Sequence, residues 1–342
     1  MRQVLEPADS LSNWLDQSAE QPQYAVLGIL FEECEFNLFT TENFDFLRRK
    51  DKGYQLFTSI HRALVRQWLR RYRKQKVVPS VRAIFLGDAV STQIILDGVY
   101  EKYELEVLEE EVFTQLSPAS TCLDIGANIG NHANFFSKHF ARVIAFEPNP
   151  MVHAVLVANT FGSNVITISK GLSDTRCEVP FQQDFANLGA SRIVEPSRSA
   201  VAKINVIPLD DLVEEYALSD VSFVKIDVEN HELQALRGAT NFLSKNRPII
   251  AMEAFCKEFP ERGKKIEDLL RGLGYKYFYR LTPRSQFVNR LEGTPMSAKR
   301  GIMRMVLPEK MRKSLKLEET FEVAGSDHQL LIIAHNPLRC RL

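Results

Sequence analysis

Short apolar runs alternate with amphipathic stretches through the middle of this chain, and that alternation sets the first structural expectation. Runs at residues 121–125, 142–147, 165–170, 221–227 and 248–253 are apolar on both faces of an extended chain. Residues 131–140, 151–160, 232–243 and 264–273 instead repeat apolar positions at helical spacing. Strands apolar on both faces and separated by helices imply a parallel sheet covered on both sides. Asn149 followed by Pro150 reads as a helix start, with a side-chain acceptor at the cap and a proline where no N–H is needed. Segments 276–280 and 329–335 are predicted to be closing strands, separated by a long basic excursion over 281–326. Upstream, 24–30 has strand character, and 57–76 repeats Phe57, Ile60, Leu64, Trp68 and Tyr72 at helical spacing before Pro79. These patterns predict an N-terminal mixed α/β extension over 1–85 and an α/β domain over 86–342.

Composition narrows the function classes. Lys+Arg and Asp+Glu are balanced at 43 each, so the whole chain has no electrostatic commitment to nucleic acid. The helix at 57–76 is locally basic, with Arg62, Arg66, Arg70, Arg71, Arg73, Lys74 and Lys76. Such a run is either a solvated face or a contact for an anionic ligand or a membrane surface; residues 299–316 pose the same choice. Cys34, Cys122, Cys177, Cys256 and Cys340 are odd in number and share no C-x-x-C spacing, which argues against a disulfide framework or a zinc site. The first residues lack the apolar core of a signal peptide, and no run is long enough to cross a bilayer. A cytoplasmic protein is therefore expected. The oligomeric state has no sequence signal.

The chemistry centres on Leu123-Asp124-Ile125-Gly126-Ala127-Asn128-Ile129-Gly130-Asn131, which follows a predicted strand and opens a helix. Glycine permits a tight turn and a close approach of ligand to backbone. Asp124 sits at the strand's carboxyl end, where open α/β sheets bind ligands, and is a candidate acceptor for the ammonium of an amino-acid moiety. The next strand ends in Phe146-Glu147-Pro148-Asn149. Glu147 lies close to the offset of about 20 residues at which a carboxylate holds ribose hydroxyls. Loop, helix and second-strand acid together describe a nucleoside site. A dinucleotide fingerprint would place a glycine at position 128, where this chain has asparagine. The loop thus suits a nucleoside without a pyrophosphate on the helix N-terminus, such as S-adenosyl-L-methionine. The cofactor set is Asp124, Gly126, Ala127, Asn128, Gly130, Glu147 and Asn149. Asp174, after the third strand, is added as a candidate acceptor for an adenine amino group.

Four stretches resemble the FkbM family of methyltransferases: 90–108 (VSTQIILDGVYEKYELEVL), 122–136 with 143–150 (CLDIGANIGNHANFF, VIAFEPNP), 187–193 (NLGASRI), and 209–213 with 223–239 (LDDLV, FVKIDVENHELQALRGA). The resemblance implies a Rossmann-like class I methyltransferase sheet, mostly parallel, binding S-adenosyl-L-methionine. It also implies O-methylation of a small-molecule or glycan hydroxyl, of sugar or polyketide type. Gly98, Tyr100, Glu104 and Asn187 become site candidates through the resemblance alone. Asn230 departs from the pattern, standing where the family carries glycine.

Asp227, Glu229 and His231 follow the fourth strand and should face the same cleft as Asp124. Methyl transfer to a hydroxyl needs alignment of oxygen, carbon and sulfur, and a group that takes the proton. These three are the catalytic candidates, with Glu253 as a fourth acid nearby. The same acids suit either a hard cation or a helix N-terminus; we expect no obligatory metal. Position 235 is alanine, so His231-Glu232 does not begin a zinc-protease motif. The competing functions are a methyltransferase-like binding or scaffold protein and a nicotinamide-dependent oxidoreductase.

Overall fold

The structure is a computed structural model that describes residues 26–28, 83–85, 88–182, 192–193, 202–254, 260–283, 315–320 and 329–340. In chain order, β1 (Val26–Gly28) and β2 (Ala83–Phe85) pair antiparallel. Next come α1 (Ala89–Asp97) and α2 (Lys102–Val107), the latter running into a wider turn over Leu108–Val112. The alternating core follows: β3 (Thr121–Ile125), α3 (Asn131–Phe136), β4 (Arg142–Phe146), α4 (Pro150–Thr160) and β5 (Val165–Ile168). A second region holds β6 (Gly171–Leu172), β7 (Cys177–Gln182), β8 (Arg192–Ile193) and β9 (Ala202–Ile207). The core resumes with β10 (Val221–Ile226), α5 (Glu232–Arg237), α6 (Thr240–Asn246), β11 (Ile249–Ala254) and α7 (Pro260–Gly272). It closes with β12 (Tyr277–Pro283), β13 (Leu315–Glu319) and β14 (Gln329–Ala334).

Eight strands form the main sheet in the order β13-β12-β14-β11-β10-β3-β4-β5. The five from β11 to β5 are parallel, and β14, β12 and β13 pair antiparallel. The mostly parallel, doubly wound α/β sheet expected from the sequence is what the chain forms. Every residue of β3 is buried, because helices cover both faces. On one face Leu123, Ile144 and Val224 pack against Leu236 of α5, Phe242 of α6 and Leu270 of α7. On the other, Cys122, Val143 and Phe223 meet Leu105 of α2, Phe136 of α3 and Leu156 of α4. Asn149 caps α4 by accepting from the Met151 N–H at 3.1 Å, with Pro150 at the first position. Among the described residues, no helix is long and apolar enough to cross a membrane.

Three expectations change. The predicted helix at 232–243 is two helices, broken at Gly238 and Ala239. Asp210 causes the break by capping α6: its carboxylate accepts from the Asn241 and Phe242 N–H groups at 3.0 and 2.8 Å. Gly238 lies so close to Ser173 that a Cβ would stand 1.9 Å from the Ser173 carbonyl oxygen. The described residues between 171 and 207 include a second sheet, ordered β6-β9-β7-β8, which the sequence pattern did not announce. Its strands run from two to six residues, too short for a periodic signal. The predicted excursion over 281–326 contains the end of β12 and all of β13. The basic helix predicted at 57–76 and the site candidate Asn187 lie outside the described residues.

The predicted boundary at 85 has a tether across it. Asn159 of α4 receives a hydrogen bond from the Ala83 N–H at 2.6 Å and donates to the Ala83 carbonyl at 2.9 Å. A short segment of the N-terminal extension is thereby fastened to the main domain.

Candidate active site

A cavity of about 190 Å³ opens at the carboxyl ends of β3, β4 and β10. Open α/β sheets bind ligands at this edge, where the strand order turns outward in both directions. Its floor is the glycine loop after β3. Gly126 has φ +81, and a Cβ there would lie 1.8 Å from the Asp227 carbonyl oxygen, so the loop and the end of β10 close against each other only with glycine. Gly130, at φ +90, meets the Leu156 side chain, and its role is to let α3 and α4 pack.

Of the cofactor candidates, Gly126, Ala127, Asn128, Glu147 and Asn149 line the cavity. Asp124, Gly130 and Asp174 do not. Asp124 is fully buried beneath the floor, with Lys225 Nζ 3.8 Å from its Oδ1. Asp174 is exposed on the loop after β6, and its carboxylate accepts from Ser173 at 3.3 Å. Glu147 is held from two sides. Its Oε2 accepts from the Asn128 N–H at 3.1 Å and its Oε1 from the Asn149 N–H at 2.9 Å. Burial raises its carboxyl to about 7, against the pull of those two backbone donors. Asn149 Nδ2 is buried without a hydrogen-bond partner.

The catalytic candidates Asp227, Glu229 and His231 all line the same cavity. Asp227 and His231 belong to two different settings. His231 shares a hydrogen bond of 3.0 Å with Ser173 Oγ, on the side of the second sheet, and burial lowers its imidazole below the usual range. Asp227 belongs to a buried charge network on the side of β11. Its Oδ2 accepts from Lys225 Nζ at 3.0 Å, and it is hydrogen-bonded to Glu253. Burial pushes Asp227 up, but the Lys225 ammonium and the Glu253 hydrogen bond more than offset this, so Asp227 stays ionised. Glu253 takes the opposite course: burial and the Asp227 charge raise it to about 9, so it holds the proton the two share. Lys225 is held charged by Asp227, Asp124 and Glu101 against its own burial. No group of three or more His, Cys, Asp or Glu side chains among the described residues is placed to hold a metal ion.

The lead-in segment closes one wall. Asn131 Oδ1 accepts from the Tyr100 N–H at 3.0 Å, and Asn131 Nδ2 donates to the Tyr100 carbonyl at 3.1 Å. Tyr100 lines the cavity; Gly98 and Glu104 do not. Gly98 ends α1 at φ 84, and its N–H bonds the Ile94 carbonyl. Asn230 also stands outside the lining. Its φ of 76 explains why glycine suits the position and why asparagine is tolerated. Its side chain turns to α7, where Arg262 Nη1 donates to Asn230 Oδ1 at 2.7 Å and to its carbonyl at 3.1 Å.

Sequence reasoning missed Glu101, His132 and Lys225, which line the cavity, and Phe181 and Ile204, which bring the second sheet to it. A lysine inside an otherwise apolar strand, two positions before Asp227 and so on its face, was a readable signal for Lys225. Glu101 and His132 meet only through the fold, with His132 Nε2 3.1 Å from Glu101 Oε2.

Residues 124–277 match the family described as methyltransferase FkbM domain. The hexuronic acid methyltransferase AglP of Haloferax volcanii is 37% identical over 134 residues, covering 38% of this chain and 55% of that protein. The methyltransferase sdnD of Sordaria araneosa is 27% identical over 181 residues, covering 40% of this chain and 70% of that one. The solved structure of methyltransferase FkbM from Methylobacillus flagellatus aligns at 22% identity with a TM-score of 0.34, covering 54% of this chain and 48% of that one. The chain spans about half the length of AglP and of the Methylobacillus protein. Its residues 124–277, from the strand beneath the cavity floor to the antiparallel end of the sheet, are thus similar to a methyltransferase FkbM domain.

Proposed function

We propose that the chain is an S-adenosyl-L-methionine-dependent O-methyltransferase acting on a hydroxyl of a small molecule or glycan. The observation that carries this reading is Glu147. It ends the second parallel strand, faces the cavity and is braced by the backbone of the glycine loop and of the α4 cap. Each carboxylate oxygen has a lone pair beyond the one its backbone donor uses, so Glu147 suits two ribose hydroxyls. The surroundings fit the same nucleoside. A side chain at Gly126 has no room, and the buried Asn149 Nδ2 is a donor in want of an acceptor. When bound, the cofactor supplies an electrophilic methyl group on a sulfonium.

The rest of the reaction belongs to this chain's side chains. Asp227, Glu101 and Glu253 gather at the β10–β11 end of the cavity, away from Asn149, and leave that end for the acceptor. A hydroxyl there meets carboxylate acceptors and the protonated Glu253. Proximity and orientation are worth several kcal/mol in such a transfer. Kinship with a hexuronic acid methyltransferase makes uronic acids and related sugars the first acceptors to try.

Two measurements test the reading. Calorimetry should show S-adenosylhomocysteine binding and no binding of NAD. Transfer of a labelled methyl group from S-adenosyl-L-methionine should be seen with methyl glucuronoside or methyl glucoside as acceptor. Binding of NAD in preference would favour the oxidoreductase alternative, and cofactor binding with no transfer to any hydroxyl compound would favour a scaffold.

A further inference from the structure

We propose that Glu101 is the base that takes the proton from the acceptor hydroxyl, with His132 as its positioning residue. This rests on the methyltransferase reading above and assigns a role that the sequence had offered to Asp227, Glu229 and His231.

The other groups at this end of the cavity are already engaged. Asp227 accepts from Lys225 at 3.0 Å and from Glu253, so its lone pairs serve the buried network. Glu253 holds the shared proton and is a donor near neutral pH. His231 is bonded to Ser173, on the wall next to the second sheet. Glu101 differs from all of these. Its side chain lines the cavity, is 31% exposed, and receives His132 Nε2 at 3.1 Å through one oxygen. Burial pushes its carboxyl up, but the hydrogen bond and charge of His132 bring it below the usual carboxylate range, so it stands ionised.

Its placement is rigid. Glu101 sits in the left-handed region at φ 54, ψ 42, where a glutamate is strained, between α1 and α2. Two consecutive residues of α3 hold two consecutive residues of the lead-in: Asn131 grips the Tyr100 backbone from both sides, and His132 grips the Glu101 carboxylate. The helix that follows the glycine loop thereby sets the base relative to the cofactor floor.

In the step, Glu101 takes the O–H proton as the hydroxyl oxygen bonds to the methyl carbon and the methyl–sulfur electron pair is left on sulfur. Among the described residues, the charged and titratable groups around Glu101 are His132 from α3, Lys225 from β10, Asp227 after it, Glu253 from β11, Glu104 from α2, and the neighbouring Tyr100.

The test uses the full chain, Glu101→Gln and Glu101→Asp, and His132→Gln. With methyl glucuronoside and methyl glucoside as acceptor probes, Glu101→Gln should lower kcat about 10²-fold or more. Its affinity for S-adenosylhomocysteine should stay within about threefold, and Glu101→Asp should recover part of the rate. In His132→Gln, Glu101 loses the donor that favours its charged form, so the acid limb of kcat should move to higher pH. Carbon NMR of the Glu101 carboxyl needs no acceptor: it should titrate below neutral pH in the native chain and higher in His132→Gln. A Glu101 that is protonated at neutral pH overturns the proposal. So does Glu101→Gln with kcat intact, including the case where cofactor affinity falls instead and Glu101 proves to be a cofactor ligand. If the native chain binds no S-adenosylhomocysteine, the methyltransferase reading fails and the proposal falls with it. If it binds S-adenosylhomocysteine but methylates neither probe, the sugar acceptor fails and the carboxyl titration decides Glu101.

Discussion

Glu147 is the carboxylate on which the proposed cofactor site turns. Glu147 follows a buried strand, and the fold supplies two backbone donors that hold it in place while burial raises it to about 7. Hydrogen bonds to an ionised acceptor are worth roughly 1.5–3 kcal/mol. Glu147→Ala should therefore weaken S-adenosylhomocysteine binding about tenfold or more by calorimetry, and unchanged affinity would remove Glu147 from the cofactor site. A second expectation concerns pH. In the proposed site the ionised form would accept ribose hydroxyls, so binding should favour deprotonated Glu147. Affinity should be level above pH 7 and fall below it, by up to about tenfold per pH unit. A rise in affinity on acidification would mean the protonated acid binds the ligand. Asn230 makes the complementary point. It holds φ 76, a left-handed backbone that asparagine tolerates, and Arg262 bonds its side chain there.

At the scale of elements, register determines chemistry. Parallel pairing sets Lys225 of β10 beside Asp124 of β3, and the β10–β11 register, extended one step beyond Ile226 and Met252, sets Asp227 beside Glu253. Lys225 and Asp227 are two residues apart and share a face. The result is one buried ammonium between acids, with Lys225 5% exposed and Asp124 not exposed at all. Removing one partner of a buried pair typically costs about 3–5 kcal/mol, because the other charge is left uncompensated. Lys225→Met should lose stability on that scale in urea unfolding, and adding Asp124→Asn should return part of it. A single mutant as stable as the native chain would show that Lys225 does not compensate Asp124. The helix break at Gly238 has a similar origin. Asp210 caps α6 from a distant segment, and Asp210→Ala should cost about 1 kcal/mol in the same assay.

For the whole molecule, the parallel sheet gathers its functional groups along one edge, and helices on both faces keep that edge rigid. A ligand that binds only the folded chain stabilises it by mass action, by about 2.7 kcal/mol at one hundred times its Kd. S-Adenosylhomocysteine should therefore raise the melting temperature in a concentration-dependent manner, and NAD should leave it unchanged. A shift with NAD of equal size would count against a cavity selective for a nucleoside without a pyrophosphate. The second sheet has its own part in this. It brings Phe181 and Ile204 to the cavity as apolar wall.

The sequence by itself determined the alternating strands and helices of the parallel core, the mostly parallel sheet, the glycine loop, and Glu147 and Asp227 as acids at strand ends. These are local properties: buried strands are apolar on both faces, helices repeat every 3.6 residues, and caps and glycines mark the ends. The tertiary structure alone decided which acids are free to act. Asp124 looks like a ligand in the sequence and lies beneath the floor, because its strand continues into the core beside Lys225. Asp174 looks like a ligand and faces solvent, because the chain turns there into the second sheet. Glu101 carries no local signal, since its value comes from His132 across a loop and from a backbone angle that only packing sustains. The charge state of a buried carboxyl depends on which donors and charges the fold places around it, and residues distant in sequence supply most of them.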